Sequence, residues 1–524
     1  MGFLEGKNQT EGMEEQSVQE EGSSMAVHLN AKLRINLELI RESLGNSNDI
    51  VIRQFQIGSG LDVAIIFMDG LADAASINNF IIESMMLDYP KEGFAGTNPL
   101  TLLKSRVLTV GDLKEVTDYE TLMNFLLSGD AILLLNGYTK GLVICVKGWE
   151  HRSVTEATTE TIIRGSKEGF IENIRTNTAM IRRRIKSHNL WLENMQIGKV
   201  TKTNVSIMYI KGIANDKAVM EVRERLNRIQ IDGILESGYI EQMIQDNSAT
   251  PFPTMFNTER PDVVAADLLE GRIAILIDGT PFVLIVPAVF IQFFQAAEDY
   301  YHRIDFSSLL RILRMISFFI ALAGPSLYIA ITTFHQEMLP TDLLVNLVAQ
   351  REGVPFPAFI EAIVMEVTFE ILREAGVRMP RAIGSAVSIV GTLVVGTAAV
   401  DAGMVSAAMV IVVSITAISN FVFPSTDMAI SIRILRFPLM MLAATFGLLG
   451  IVAGIIALLL HLCSLRSFGI PYMSPFSPLV PSDLKDTLIR FPQWAMFTRP
   501  RLTSEKNIVR ERTPEPKPPK PGEK

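Results

Sequence analysis

Beyond Arg314, four long stretches of this chain contain no Asp, Glu, Lys or Arg: Met315–Phe334, Ala382–Val400, Ala402–Thr426 and Phe437–Leu465, of 20, 19, 25 and 29 residues. A helix rises 1.5 Å per residue, so about 20 apolar residues cross a bilayer core about 30 Å thick. Each run is close to or above that length, and none has a charged face to offer to water. Before them the pattern differs, with charged residues interspersed from Met1 to about Arg314. The expected fold is an α/β soluble region of two related subdomains followed by an α-helical transmembrane bundle of about five spans. The expected divisions are a disordered acidic tail (1–30), soluble subdomain 1 with a linking helix (31–185) and soluble subdomain 2 (186–303). The transmembrane bundle (304–465), a C-terminal segment (466–500) and a Pro-rich disordered tail (501–524) follow.

The net charge of −8 argues against nucleic acid as a partner, since phosphate neutralisation needs a surplus of Lys and Arg. Cys145 and Cys463 are the only cysteines, and the six histidines show neither HxxxH nor HExxH spacing. No disulfide framework, metal site or cofactor is therefore expected. Ser, His and Asp recur at no recognisable catalytic spacing, and neither GxGxxG nor GxxxxGK[ST] occurs, so no enzyme is expected. The N-terminus lacks a basic segment followed by an apolar one, which reads as a cytoplasmic start.

The α/β region contains a repeat. LLSGDAILLLNG (Leu126–Gly137) lies over LLEGRIAILIDG (Leu268–Gly279) at an offset of 142, and the same offset places AIIFMDGLAD (Ala64–Asp73) over SIMYIKGIAN (Ser206–Asn215). Two separated blocks sharing one offset point to a tandem duplication. In each copy a β-branched strand leads through a Gly-containing turn to an amphipathic helix. A second strand then ends at Asn136-Gly137 or Asp278-Gly279, dipeptides that favour tight hairpins. In the linking segment, Arg182, Arg183 and Arg184 fit either a salt-bridged helix face or a lipid-headgroup site.

The stretch PFPTMFNTERPDVVAADLLEGRIAILIDGTPFVLIVP (Pro251–Pro287), with Thr258, Glu259, Arg260, Pro261 and Asp262 at its heart, resembles a hallmark of the A subunits of GerA-type spore germinant receptors. RGSKEGFIENIRTNTAMIRRRI (Arg164–Ile185) and PYMSPFSP (Pro471–Pro478) carry the same resemblance. It implies a subunit in the spore inner membrane. It also implies action with B and C subunits to trigger germination by nutrients, and assembly as a homo-oligomer into an ion-conducting path for monovalent cations among membrane lipids. A non-conducting scaffold and a related subunit of the dipicolinate-release machinery are the alternatives.

Within the membrane half, Phe359–Val377 keeps its charges. Glu366 and Glu370 lie on one helix face with Arg373, and ionisable groups at membrane depth mark either a pathway or a buried pair. Three readings stand: cation attraction at a pore mouth, a salt bridge to Arg373 holding helices together, or an interfacial helix lying flat. In Ala382–Val400, Ser388 and Thr392 share a face beside Val394 and Val395, which suits close helix packing or a pore lining with an apolar constriction. Arg303, Arg311 and Arg314 precede the first run and place the soluble region on the cytoplasmic core side. With five spans Arg433 and Arg436 return to that side and the C-terminal tail lies outside, against the charges of Arg466, Lys485 and Arg490, whereas a glutamate helix that does not cross leaves the tail inside.

Overall fold

Unbroken apolar runs along the central strands dictate a sheet buried on both faces. The computed structural model describes residues 28–58, 60–87, 99–104, 113–148, 157, 159–378, 396–504 and 507–516. It divides into two units, the first comprising Met1–Ser153 and Arg175–Asn194. Here α1 (Leu33–Ser43), β1 (Ile50–Ile57), β2 (Leu61–Met68), β3 (Leu113–Val116), α2 (Tyr119–Leu127), β4 (Ala131–Leu135) and β5 (Gly141–Ile144) follow in order. The sheet runs β1-β2-β4-β5-β3, antiparallel at every step. Val63, Ile65 and Phe67 of β2 enter one core with Leu133 and Leu135, whereas Ala64, Ile66 and Met68 pack on the other face against α1 and α2. This is why the strand is apolar without a break.

The linking helix α3 (Ile174–Arg184) precedes β6 (Leu190–Ile197), β7 (Thr203–Ile210), α4 (Asp216–Asn227) and α5 (Ser237–Ile244). After them come β8 (Phe256–Thr258), α6 (Pro261–Leu269), β9 (Ile273–Ile277) and β10 (Val283–Val286). The second sheet has the order β6-β7-β9-β10-β8, the same plan as the first. The turns differ from the two-residue hairpins expected of Asn-Gly and Asp-Gly, because each connection has five residues and its first two have a second task. Asn136 Oδ1 accepts from Leu33 N (3.2 Å) at the start of α1, and Gly137 N donates to Ala31 O (2.7 Å). In the second copy Asp278 Oδ1 accepts from Ile174 N (3.2 Å) at the start of α3, and Gly279 N donates to Glu172 O (2.8 Å). Gly137 and Gly279 have φ of 90° and 93°, a conformation that favours glycine.

The second unit, Val154–Ile174 with Met195–Lys524, also holds the helical region. Its helices are α7 (Ile304–Phe334), α8 (Thr341–Arg351), α9 (Ala358–Arg378), α10 (Ala407–Asn420) and α11 (Thr426–Ser464). By length and composition α7 and α11 are long and apolar enough to cross a membrane. α10 has 14 residues, about 21 Å at 1.5 Å per residue, which is shorter than a hydrocarbon core.

α11 differs from the single crossing expected over Phe437–Leu465. Gly447, at φ 61° and ψ −139°, is non-helical, and the chain doubles back there. A Cβ on Gly454 would stand 2.6 Å from Leu439 Cδ1, and one on Gly450 would stand 2.2 Å from Leu442 O, contacts that a straight helix could not make. Ser431 bonds to Pro251 O in one arm and His461 Nε2 lies 2.8 Å from Thr250 Oγ1 in the other, so both arms begin and end beside the same loop. The tip meets Phe334 and His335 at the end of α7.

The C-terminal segment therefore returns to the α/β side of the unit, contrary to the expectation that it stands on the opposite side. Ser467 Oγ donates to Thr254 O (2.6 Å) and accepts from Ala288 N (3.0 Å), and Phe290 N donates to Tyr472 O (2.8 Å). Further along, Arg499 Nε donates to Leu269 O (2.9 Å) and Thr503 Oγ1 to Glu270 O (2.8 Å).

Candidate functional site

A carboxylate held among apolar helices needs a partner, and α9 meets that need three times. Glu361 is fully buried; its Oε2 accepts from Ser406 N (3.0 Å) and Ser406 Oγ (2.9 Å), and its Oε1 from Arg351 Nε (3.3 Å). Glu366 pairs with Arg436 of α11, whose Nε donates to Ala321 O of α7 (2.8 Å). Glu370 pairs with Arg373 on its own helix and with Arg433 of α11 (3.5 Å). Residues four apart on α9 thus meet residues three apart on α11, a two-rung ladder joining the helices. Paired in this way the charges escape the isolated-ion penalty, and removal of one partner from such a buried pair costs about 3–5 kcal/mol. Glu366 Oε1 and Arg436 Nη2 remain without hydrogen-bond partners among the described residues, so the upper rung is not saturated.

Of the expected site residues, Glu366 and Glu370 share this ladder. The Glu370–Arg373 bridge lies within α9, and the bonds that join helices are those to Arg433 and Arg436 of α11. Ser388, Thr392, Val394 and Val395 lie outside the described residues. Arg182 is 1% exposed and makes a two-pronged bond to Asp49, Nε to Oδ2 at 2.6 Å and Nη2 to Oδ1 at 3.0 Å. That bond uses the guanidinium face that a headgroup would need.

The Thr258–Asp262 motif forms a clasp. Arg260 is the N-cap residue of α6 and Pro261 its first helical residue, a position where the missing N–H costs nothing. The Arg260 side chain donates to Glu160 O (3.3 Å), Ser166 O (2.9 Å) and Asp262 Oδ2 (2.7 Å), and Asp262 Oδ2 also accepts from Tyr301 Oη (2.6 Å). Thr258 Oγ1 donates to Glu160 Oε2 (3.0 Å), and Glu259 Oε1 accepts from Thr159 N (3.0 Å). Burial pushes the Glu160 carboxyl up to about 7, against the pull of Thr258 and Arg260. Burial likewise pushes Asp267 of α6 up to about 7, although Arg272 lies 2.9 Å away. Glu241 of α5 reaches about 7 through burial and then the neighbouring charges of Asp427 and Glu236.

Sequence reasoning missed a second knot at the foot of α7. Asp299, fully buried, accepts from Arg311 Nε (3.0 Å) and from Arg314 Nη1 (2.9 and 2.7 Å). Arg311 Nη1 also reaches Asp486 Oδ1 (2.7 Å), Tyr300 Oη donates to Asp486 Oδ2 (2.6 Å), and Arg490 Nη1 donates to Asp299 O (2.8 Å). The Arg311 and Arg490 guanidinium groups both lie over the Tyr300 ring, at 5.3 and 5.5 Å. Arg311 and Arg314, which the sequence offers as markers of a membrane side, are thus bound within the fold by Asp299 and Asp486.

The chain matches the family model described as Bacillus/Clostridium GerA spore germination protein over residues 38–502. It is 47% identical to Spore germination protein KA of Bacillus subtilis (strain 168), across 93% of this chain and 89% of that one. It is 39% identical to Spore germination protein GerLA of Bacillus cereus, across 89% and 95% of the two chains. A crystal structure of the N-terminal domain of the A subunit of the Bacillus megaterium spore germinant receptor GerK3 is 47% identical, covers 51% of this chain and 100% of its own, and gives a TM-score of 0.42. The match takes in both sheets, the Thr258–Asp262 clasp, the α9 ladder and the C-terminal segment, and this chain belongs to the GerA family of spore germination proteins.

Proposed function

We propose that this chain is the A-type membrane subunit of a nutrient germinant receptor, and that copies of it assemble around a gated path for monovalent cations. The supporting observation is the Glu366–Arg436 and Glu370–Arg433 ladder, because paired charges among apolar helices are the elements that a conformational change can re-pair. In this reading the helical region is embedded in the spore inner membrane through α7, α9, the 382–400 run, α10 and the two arms of α11. The α/β region is on the core side, where its two subdomains, divided near residues 185 and 303, bind each other's copies and the B and C subunits. Their common strand order and common turn anchoring support a tandem duplication. The 382–400 run lines the path, with Ser388 and Thr392 offering hydroxyls and Val394 and Val395 the apolar constriction.

The test is cation flux from liposomes carrying the chain with its B and C partners. Val394→Ala and Val395→Ala are expected to raise the resting leak. Glu366→Gln, which leaves Arg436 without its countercharge, is expected to shift the nutrient dependence of release. A full complex that assembles and binds nutrient yet passes no cations would favour the non-conducting scaffold instead.

A further inference from the structure

The N-terminal half of α7, both arms of α11, the C-terminal segment, and Phe252 and Phe290 of the α/β part enclose a cavity of about 310 Å³ lined only by apolar side chains. We infer that this cavity is a binding site for one acyl chain of a membrane lipid, an inference that rests on the helical region being embedded in a bilayer. Its walls include Phe318 and Leu322 of α7, Leu435 and Leu458 from opposite arms of α11, and Met473 and Phe476 of the C-terminal segment. Phe319 and Leu459 also line it, yet they are 52% and 48% exposed, so its mouth opens on the outer apolar surface. Ile316 and Ile456 continue that surface on the same two helices, at 50% and 52% exposure.

The chemistry of the lining selects the occupant. Water needs two to four polar partners and finds none here, whereas an apolar cavity of about 150 Å³ accepts one benzene. Twice that volume takes about a dozen carbons, the terminal part of a fatty acyl chain. A gap would forfeit dispersion contacts over the whole lining, and within a bilayer the filler beside the mouth is hydrocarbon. The chain so held touches α7, both arms of the hairpin and the C-terminal segment together, and fastens the four to one another.

The experiment reconstitutes the full chain in phosphatidylglycerol vesicles whose acyl chains carry a terminal photoactivatable diazirine, and maps the adducts by peptide mass spectrometry. Adducts are expected on the peptides bearing Leu322 and Leu458 as well as on outward Leu449, which is 72% exposed. Filling the cavity with Leu435→Trp is expected to lower the Leu322 and Leu458 adducts at least tenfold and leave Leu449 labelled. Because the first measurement uses the unaltered chain, it stands even if that variant does not fold. Label on Leu449 with none on Leu322 or Leu458 overturns the acyl-chain site while leaving the helices in the membrane. Label on none of the three overturns both.

Discussion

At the scale of single residues, the buried ions divide by how completely they are matched. Arg182 and Asp49 pair through two hydrogen bonds and are 1% and 3% exposed in their side chains, and Arg182 Nη1 stays buried without a hydrogen-bond partner among the described residues. Arg182→Ala leaves the Asp49 side chain enclosed without its partner, and we expect a loss of about 3–5 kcal/mol, read by urea unfolding of the whole chain. Glu160 behaves differently, since its carboxyl is raised from the ordinary 4.5 to about 7. A raised acid binds its proton more tightly in the folded state, so its contribution is fully present below pH 4.5 and is lost as pH rises through about 7. Glu160→Gln keeps an acceptor for Thr258 and removes the titration. The variant is expected to melt at the same temperature as the parent at pH 5 and several degrees higher at pH 8; equal melting shifts at both pH values would count against the assignment. Asp267 and Glu241 titrate in the same window, which is why the difference between parent and variant carries the test. None of these shifts was legible in the sequence, because Glu160 acquires its surroundings from residues about a hundred positions away.

At the scale of elements, hydropathy located the apolar helices but was blind to direction. A charge-free run of 29 residues reads the same whether the chain goes straight or turns at Gly447, and the turn depends on one backbone conformation. The spacing of Gly450 and Gly454 was the available signal, since small residues four apart allow helices to approach closely. The two glycines predict different costs. At Gly450 an added methyl meets the Leu442 carbonyl at 2.2 Å, backbone that must move, while at Gly454 it meets the flexible end of Leu439 at 2.6 Å. Gly450→Ala should therefore destabilise by about 1–3 kcal/mol and Gly454→Ala by clearly less, measured by thermal unfolding in lipid nanodiscs. Equal losses would mean that the two arms do not meet in this register. The repeat was more legible: local strand and turn signals recur at a single offset, and their spatial anchors recur with them.

At the scale of the whole molecule, the long-range ties were the part that sequence alone could not give. Glu370–Arg373 follows from helical spacing, but Glu366–Arg436 joins residues seventy positions apart, and the Asp299 knot joins the foot of α7 to the C-terminal segment nearly two hundred positions away. The resemblance to known germination proteins identified which stretches matter without saying what they touch. The structure supplies that link for PYMSPFSPLVPSDLKDTLIR (Pro471–Arg490): its end is the strap that Arg311, Tyr300 and Asp299 hold. Asp299→Asn keeps the size of the side chain but removes the countercharge of both Arg311 and Arg314, whereas Asp486→Asn removes a charge that is 23% exposed, bridged to Arg311 and felt by Arg490. Partial burial makes the second loss the smaller. We expect Asp299→Asn to release the strap, seen as trypsin cleavage at Lys485 and Arg490 at least tenfold faster than in the parent, and Asp486→Asn to accelerate it only a few-fold. The reverse order would place the hold on the strap at Asp486 and leave Asp299 as a local support for α7.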